Sequence, residues 1–564
     1  MPPVAQPVYP WFPRQWALLL LALILACTAG ARLKAIELPL ERDEGEYAYG
    51  GQLLLQGVPP YQAAYNMKFP GIYAGYAAIL AVFGETTRGV HLGLLLVNAA
   101  AIVLVYLLGT WLAGRLGGVV AAASYAVLSA SPSVLGLAGH ATHFLVVPAL
   151  GGVALLLRSR ERGELGTVFL AGMLFGLAVL MKQHAIFFAI FGIVDTLLIS
   201  RAVRRLSWGR TLVRTGALLL GIVAPVVVMV LYLLHSRVFD LFWFWTVDYA
   251  RLYAAQLSPA EGWSSFLHNF PVAIGPSVLL WLLAGVGLIV AWLQRDRGRA
   301  LWVSGLALGS ILATVPGYWF RPHYFIVMLP IVAMLAGLAV ASLGRFLSRG
   351  AVAPAWSLAI CATIAAACLA PSIRDIADLI VRSPFAMSRR LYGTDPFPEA
   401  LEISRHITEN TAPEARIVVL GSEPQIYFHS RRRSGTAHIY TYGLMELVRG
   451  PVEVGAALPA VWVPQPHARR MQDEMIHDLE SGGPEYVVFA QVATSWLARP
   501  ESDQHILEWA RAHVPERYDL VGVADMFEDG TEYRWWDEAV SYEPRSEQVM
   551  YVFRKRPAVA TATR

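Results

Sequence analysis

The sequence predicts a polytopic α-helical membrane protein carrying a C-terminal α/β domain. Three observations predict it. Of 564 residues, 56% are hydrophobic and only 15% charged, where soluble proteins carry about 25% charged residues. Mean hydropathy is +0.48. The apolar residues gather into long runs up to residue 372, and from 373 onward charge returns and the runs shrink to strand length. That composition excludes a soluble enzyme, a disordered chain and a fibrous protein. A net charge of +4, with no basic stripe interleaved with aromatics, gives no reason to expect nucleic acid as a partner.

Eleven runs are long enough to span, at 15–36, 88–112, 117–135, 142–157, 165–181, 184–200, 212–235, 270–293, 301–318, 323–344 and 353–371. A span needs roughly 20 apolar residues. The first run has no convincing cleavage site and is expected to stay as a helix. Cys27, Cys361 and Cys368 lie inside apolar runs and are expected as buried hydrophobes, with neither a disulfide framework nor a thiolate metal site.

Sidedness follows from arginine. Arg115, Arg158 with Arg160 and Arg162, Arg201 with Arg204, Arg205, Arg210 and Arg214, Arg295 with Arg297 and Arg299, and Arg345 with Arg349 fall in alternate connections. These are cytoplasmic by the positive-inside rule. The N-terminus is then cytoplasmic, and the loop at 236–269, the turn at 319–322 and the C-terminal domain lie outside. Parity requires that the apolar segment at 70–84, opened by Lys68-Phe69-Pro70-Gly71, be a half-span or surface helix. Irregular backbone at that depth is tolerated where it lines a cavity. Twelve spans with an outer N-terminus is the competing count.

Two domains are expected, 1–372 in the membrane and 373–564 outside it. In the second, helices are expected at 396–410, 469–481 and 503–513, and strands at 415–421, 484–490, 518–525 and 548–554. No glycine-rich phosphate loop stands at a strand–helix junction. Arg431, Arg432 and Arg433 are expected in a solvated loop.

The first outer loop holds the chemistry-bearing residues: Glu41-Arg42-Asp43-Glu44-Gly45-Glu46-Tyr47, then Asn66-Met67-Lys68. On residue chemistry alone, Asp43 and Glu44 read either as first-turn helix charge or as functional carboxylates facing water or a partner. Lys68 reads either as a snorkelling side chain or as a phosphate ligand. Lys182 ends a helix on the outer side and reads as an interfacial lysine. The segment 238–253 is an aromatic belt or a rim over a site, with Asp240 and Asp248 then as sugar ligands.

Asp43-Glu44-Gly45 with Tyr47, followed by Lys68-Phe69-Pro70 opening an apolar helix, resembles the first-loop signature of GT-C membrane glycosyltransferases, which include protein O-mannosyltransferases and lipid A aminoarabinose transferases. Gly172 to Lys182 resembles their Gly-Leu-Ala-x-Leu-x-Lys stretch, and Gly317 to Phe325 a late outer turn. The resemblance covers about residues 1–350. It implies an inverting transferase that moves a sugar from a polyprenyl-phosphate donor to a lipid, glycan or protein acceptor at the outer face of the membrane. It implies Asp43 as general base with Glu44 as its catalytic neighbour. Lys68, Arg321 and His323 are implied at the donor phosphate, where fixed cations stabilise the charge that develops.

The sequence departs from the better-known members at Glu46, at Phe69, and at Gly139-His140-Ala141-Thr142-His143, with His143 near a family Asp position. Glu46, Tyr47, His140, His143 and Asp248 are expected in the substrate cavity. His140 and His143 read as a water-facing polar pair more readily than as metal ligands, so neither a metal nor a cofactor is expected. Two rival functions remain: a transporter or flippase of lipid-linked sugars, for which no internal repeat is found, and a non-catalytic membrane assembly subunit.

Overall fold

A computed structural model describes residues 12–162, 164–201, 205–349, 352–449 and 462–557; Arg204 of the arginine set lies outside them. The described residues of the membrane part form helices joined by irregular connections. Among the described residues, seven stretches are long and apolar enough to cross a membrane: Arg14–Lys34, Thr87–Leu128, Ala141–Arg160, Trp208–His235, Pro259–Leu293, Pro322–Arg349 and Pro354–Ile380. Shorter apolar helices occupy Gly71–Phe83, Leu165–Met181 and Gln183–Ile199. This is a multi-pass membrane protein.

We label the helices that build the site α1 (Arg14–Lys34), α2 (Arg42–Leu55), α3 (Gly71–Phe83), α4 (Thr87–Leu128), α5 (Ala141–Arg162) and α6 (Leu165–Met181). Two of them resolve sequence-level questions. α3 has 13 residues, so at 1.5 Å per residue it is about 20 Å long, short of the ~30 Å hydrocarbon core. The half-span expected at 70–84 has this form. α4 is two helices, because Gly114 adopts φ 81° and ψ 177°, a left-handed conformation that only glycine takes without strain. The chain folds back there, which puts Gly118 against Tyr106 and Thr110 and separates the runs expected at 88–112 and 117–135. Most of the stretch Pro322–Arg349 is buried, and it packs mainly on α4, at the centre of the bundle.

The described residues of the C-terminal part carry eight strands: β1 (Arg416–Leu420), β2 (Arg433–Ser434), β3 (Leu447–Arg449), β4 (Trp462–Pro464), β5 (Tyr486–Gln491), β6 (Tyr518–Met526), β7 (Thr531–Trp535) and β8 (Val549–Lys555). Six form one sheet in the order β2-β1-β5-β8-β6-β7, and β3 and β4 form a separate antiparallel ribbon. β1 pairs parallel with β2 and with β5; β8 runs antiparallel to β5 and β6. The near-continuous apolar β1 is buried on both faces, as parallel strands are. Helices Phe397–Asn410, Ala468–Gly482 and His505–Arg517 correspond to the expected ones. β2, the β3–β4 ribbon and β7 were not expected; two or three residues, or a polar stretch such as Thr531-Glu532-Tyr533-Arg534, give no strand period.

The two parts share a core. Tyr47, Tyr49 and Leu53 of α2 are buried in one cluster with Ile403, Ile426 and Tyr427 of the C-terminal part. Full burial of each such side chain contributes about 1.5–3 kcal/mol. α2 is therefore seated between the bundle and the sheet.

Candidate active site

α2 begins with a capping box. The Glu41 side chain accepts from the Glu44 backbone N–H at 3.0 Å, and the Glu44 side chain accepts from the Glu41 N–H at 3.4 Å. This reciprocal cap satisfies two orphan donors of the first turn and fixes where Asp43 points. Asp43 faces a cavity of about 620 Å³ between one end of the bundle and the C-terminal part. Lys68, Lys182, Arg321 and His323 line it from the membrane side, and Tyr440 and Glu446 from the C-terminal part.

Lys68 Nζ lies 3.1 Å from Asp43 Oδ1 and donates to the Tyr47 hydroxyl at 3.0 Å. Burial opposes ionisation of Asp43, but Lys68 and then His140 outweigh it and hold the carboxyl well below the usual carboxylate range. Asp43 is thus an anion at neutral pH. Behind it, His140 Nδ1 lies 3.5 Å from Glu41 Oε1 and 3.8 Å from Asp43 Oδ2. Burial pushes Glu41 up to about 7, with His140 opposing and Asp43 and Glu44 adding.

Two cations face the cavity with no carboxylate within ion-pair distance among the described residues. The Lys182 ammonium sits 4.1 Å over the Tyr324 ring and the Arg321 guanidinium 5.4 Å over the Trp319 ring. Burial, then the nearby charges of Lys68 and Arg321, pulls Lys182 down to about 7. Opposite them, Glu446 accepts from the Tyr249 hydroxyl at 2.6 Å, and the buried Tyr440 hydroxyl has no hydrogen-bond partner among the described residues. Lys182 and Arg321 thus line the same cavity as the Asp43 carboxylate.

One ligand atom each from Asp43, His140 and His323 lies within 4.8 Å of the others, and both His140 ring nitrogens are buried without a hydrogen-bond partner. The His140 and His323 rings are stacked 4.2 Å apart and 11° from parallel. Imidazole lone pairs lie in the ring plane, so in this stack they run side by side and do not converge on one ion.

Residues 68–232 match the family model for dolichyl-phosphate-mannose-protein mannosyltransferase. Among solved structures, ArnT from Cupriavidus metallidurans bound to undecaprenyl phosphate is 16% identical, covering 94% of this chain and 97% of that one at a TM-score of 0.53. The archaeal oligosaccharyltransferase AglB from Archaeoglobus fulgidus, in complex with an inhibitory peptide and a dolichol-phosphate, is 13% identical, covering 93% and 75% at 0.51. No curated protein matches. The chain has the GT-C fold.

Within this GT-C frame the residues singled out from sequence part into two sets. Asp43, Lys68, Arg321 and His323 line the cavity. Glu44, expected as catalytic neighbour of the base, does not: it is fully buried, accepts from the Gly139 N–H at 2.5 Å and stands 3.3 Å from His91 Nε2. Its capping and anchoring bonds account for it, and Glu41 is the carboxylate beside His140. The five residues expected on the cavity wall all lie off it. Glu46 is buried against the Tyr73 hydroxyl, and burial pushes it up to about 8 against the pull of Lys68. Tyr47 is packed among Tyr73 and Tyr76. His140 sits behind Asp43, and His143 is buried at the start of α5. Asp248 is exposed, while Trp245, Thr246 and Tyr249 of the same π-helical stretch, Phe244–Tyr249, face the cavity.

Lys182, Tyr440 and Glu446 are the cavity residues that sequence reasoning passed over. The Gly172–Lys182 match was the available signal for Lys182. Tyr440 and Glu446 lie about 400 residues from Asp43 and carry no local pattern.

Proposed function

We propose that the chain is an inverting glycosyltransferase of the membrane's outer face, with a polyprenyl-phosphate sugar as donor and a lipid, glycan or protein as acceptor. The observation that carries this reading is one ionised carboxylate, Asp43, and two unpaired cations, Lys182 and Arg321, facing a single cavity on a GT-C fold. The arginine distribution supports a cytoplasmic N-terminus and an external C-terminal domain over 373–564.

The acceptor hydroxyl oxygen attacks the anomeric carbon from the face opposite the phosphate, and the new C–O bond forms as the bond to the phosphate oxygen breaks. The electron pair leaves with the polyprenyl phosphate, and the hydroxyl proton passes to Asp43. Arg321 and Lys182 stabilise the phosphate as its charge grows. Lys68 pairs with Asp43 in the free protein; an arriving phosphate competes for its ammonium, which lets the Asp43 carboxyl rise toward a basicity suited to its task.

The test is transfer from labelled polyprenyl-phosphate sugars by the purified protein in lipid, read as released polyprenyl phosphate together with glycosylated acceptor. A lipid-linked donor moved across vesicles unhydrolysed would replace this reading with the flippase. Lys182 adds a pH signature. An ammonium with its pKa drawn to about 7 is charged below that value and neutral above it, so donor affinity falls several-fold from about pH 6 to about pH 8. Titrating donor binding in that range checks this, and Lys182→Arg, which stays charged, flattens the dependence.

A further inference from the structure

Arg42, the residue before the proposed base, is held entirely by the C-terminal domain. Its Nη2 and Nε donate to Glu423 Oε1 at 2.7 and 3.1 Å, and Nε also to the Ser422 carbonyl at 2.9 Å. Nη2 reaches Asp395 Oδ1 and the Thr494 hydroxyl at 3.2 Å each. The Arg42 side chain is 10% exposed and that of Glu423 fully buried.

The place it occupies is a defined one. Ser422 and Glu423 follow the carboxyl end of β1, and Thr494 follows that of β5. β1 and β5 are parallel neighbours, and β2 lies on the other side of β1. Between such strand ends, where the order of the sheet reverses, open α/β sheets take their ligands. Here the crevice is filled by an arginine from the membrane part's first outer loop. A second contact lies one turn along: a Cβ on Gly45 would stand 2.6–2.8 Å from Gln425 Cβ, N and Cα. The helix backbone therefore lies directly on the turn after β1, and only glycine permits it.

We propose that the strand-end crevice, by gripping Arg42 and seating Gly45, is a positioning device through which the C-terminal domain aims Asp43 into the cavity. The inference rests on Asp43 being the base. Successive side chains on a helix diverge by about 100°, so fixing Arg42 on the sheet fixes the direction of Asp43. A misplacement of about 1 Å at a reacting group lowers turnover on the order of 10²-fold. Arg42, Glu423 and Gly45 touch neither cavity nor substrate; they act through α2.

The experiment uses full-length Glu423→Gln and Gly45→Ala proteins in lipid, singly and combined, with Arg42→Lys as the conservative variant. Expected are a fall in kcat of about tenfold or more with donor KM within about twofold, and an intermediate fall for Arg42→Lys. The double variant is expected to be no worse than the poorer single one, since both lesions release the same helix. Amide hydrogen exchange should speed up over residues 42–55 and stay unchanged in β5, β6 and β8. Wild-type kcat in both single variants overturns the proposal, as does exchange that rises across the whole sheet with KM and kcat falling together. If the wild-type protein transfers no sugar, the functional reading fails by itself, and the exchange arm decides the clamp: unchanged protection of 42–55 in Glu423→Gln overturns it.

Discussion

Asp43→Asn is expected to lower sugar transfer by about 10²- to 10⁴-fold while leaving donor binding in place. Asparagine keeps the side chain's size and its reach toward Lys68 but cannot take a proton. Asp43 is the one carboxylate among the four acidic residues of Glu41 to Glu46 that opens on the cavity: Glu44 is tied to Gly139, and Glu46 to Tyr73. A neighbour is therefore poorly placed to substitute. The measurement is kcat with saturating donor, alongside a donor-binding isotherm for the same protein. Undiminished turnover in a folded Asp43→Asn protein would remove the base assignment. The pH profile sharpens it. Asp43 lies well below the usual carboxylate range while Lys68 is paired with it. Lys68→Met removes the cation, so the Asp43 pKa rises and its protonated form begins to appear at higher pH; the acid limb of kcat/KM moves upward.

Arg321→Ala is the second large effect. Removing one preorganised charge donor from a developing anion typically costs about 10²–10³ in kcat. Arg321 stands over the Trp319 ring without a carboxylate that would otherwise claim it among the described residues. Arg321→Lys should recover only part of the loss, since an ammonium lacks the planar fork that matches phosphate. Kinetics over a range of donor concentrations checks both. A variant that raises KM and keeps kcat would make Arg321 a ground-state binding residue instead.

Much of the membrane architecture was legible because the bilayer imposes a one-dimensional rule. Every backbone group in the hydrocarbon must be satisfied within its own helix, so apolar run length alone marks candidate spans, and arginine counts add an expected side for each connection. The same reading handled the 70–84 segment by parity, and the chain there forms a 13-residue helix. It also drew attention to Asp43 and Lys68, which meet at 3.1 Å although 25 residues separate them. Other residues sit away from the cavity where a local pattern carried two meanings. Glu44 was read with Asp43 as a pair, but Glu41-x-x-Glu44 is the spacing of a capping box, and the cap absorbs it. Asp248 looked like a sugar ligand in an aromatic segment; the π-helical winding over Phe244–Tyr249 turns Trp245 and Tyr249 inward and leaves Asp248 in solvent.

The sequence by itself determined the solvent each part of the chain meets: a membrane bundle, an α/β domain after it, and a short set of ionisable residues at one surface. Hydropathy and charge are summed over neighbours in sequence, so they survive without knowledge of the fold. Tertiary structure decided which of those residues share a cavity. Lys182 changed from a helix-end lysine to an unpaired cation lining the same cavity as Arg321, and Arg42, which no local pattern singled out, is anchored on Glu423, 381 residues away. Such pairings arise from the burial of charges that must find partners at low dielectric, and no local spacing records a partner that distant.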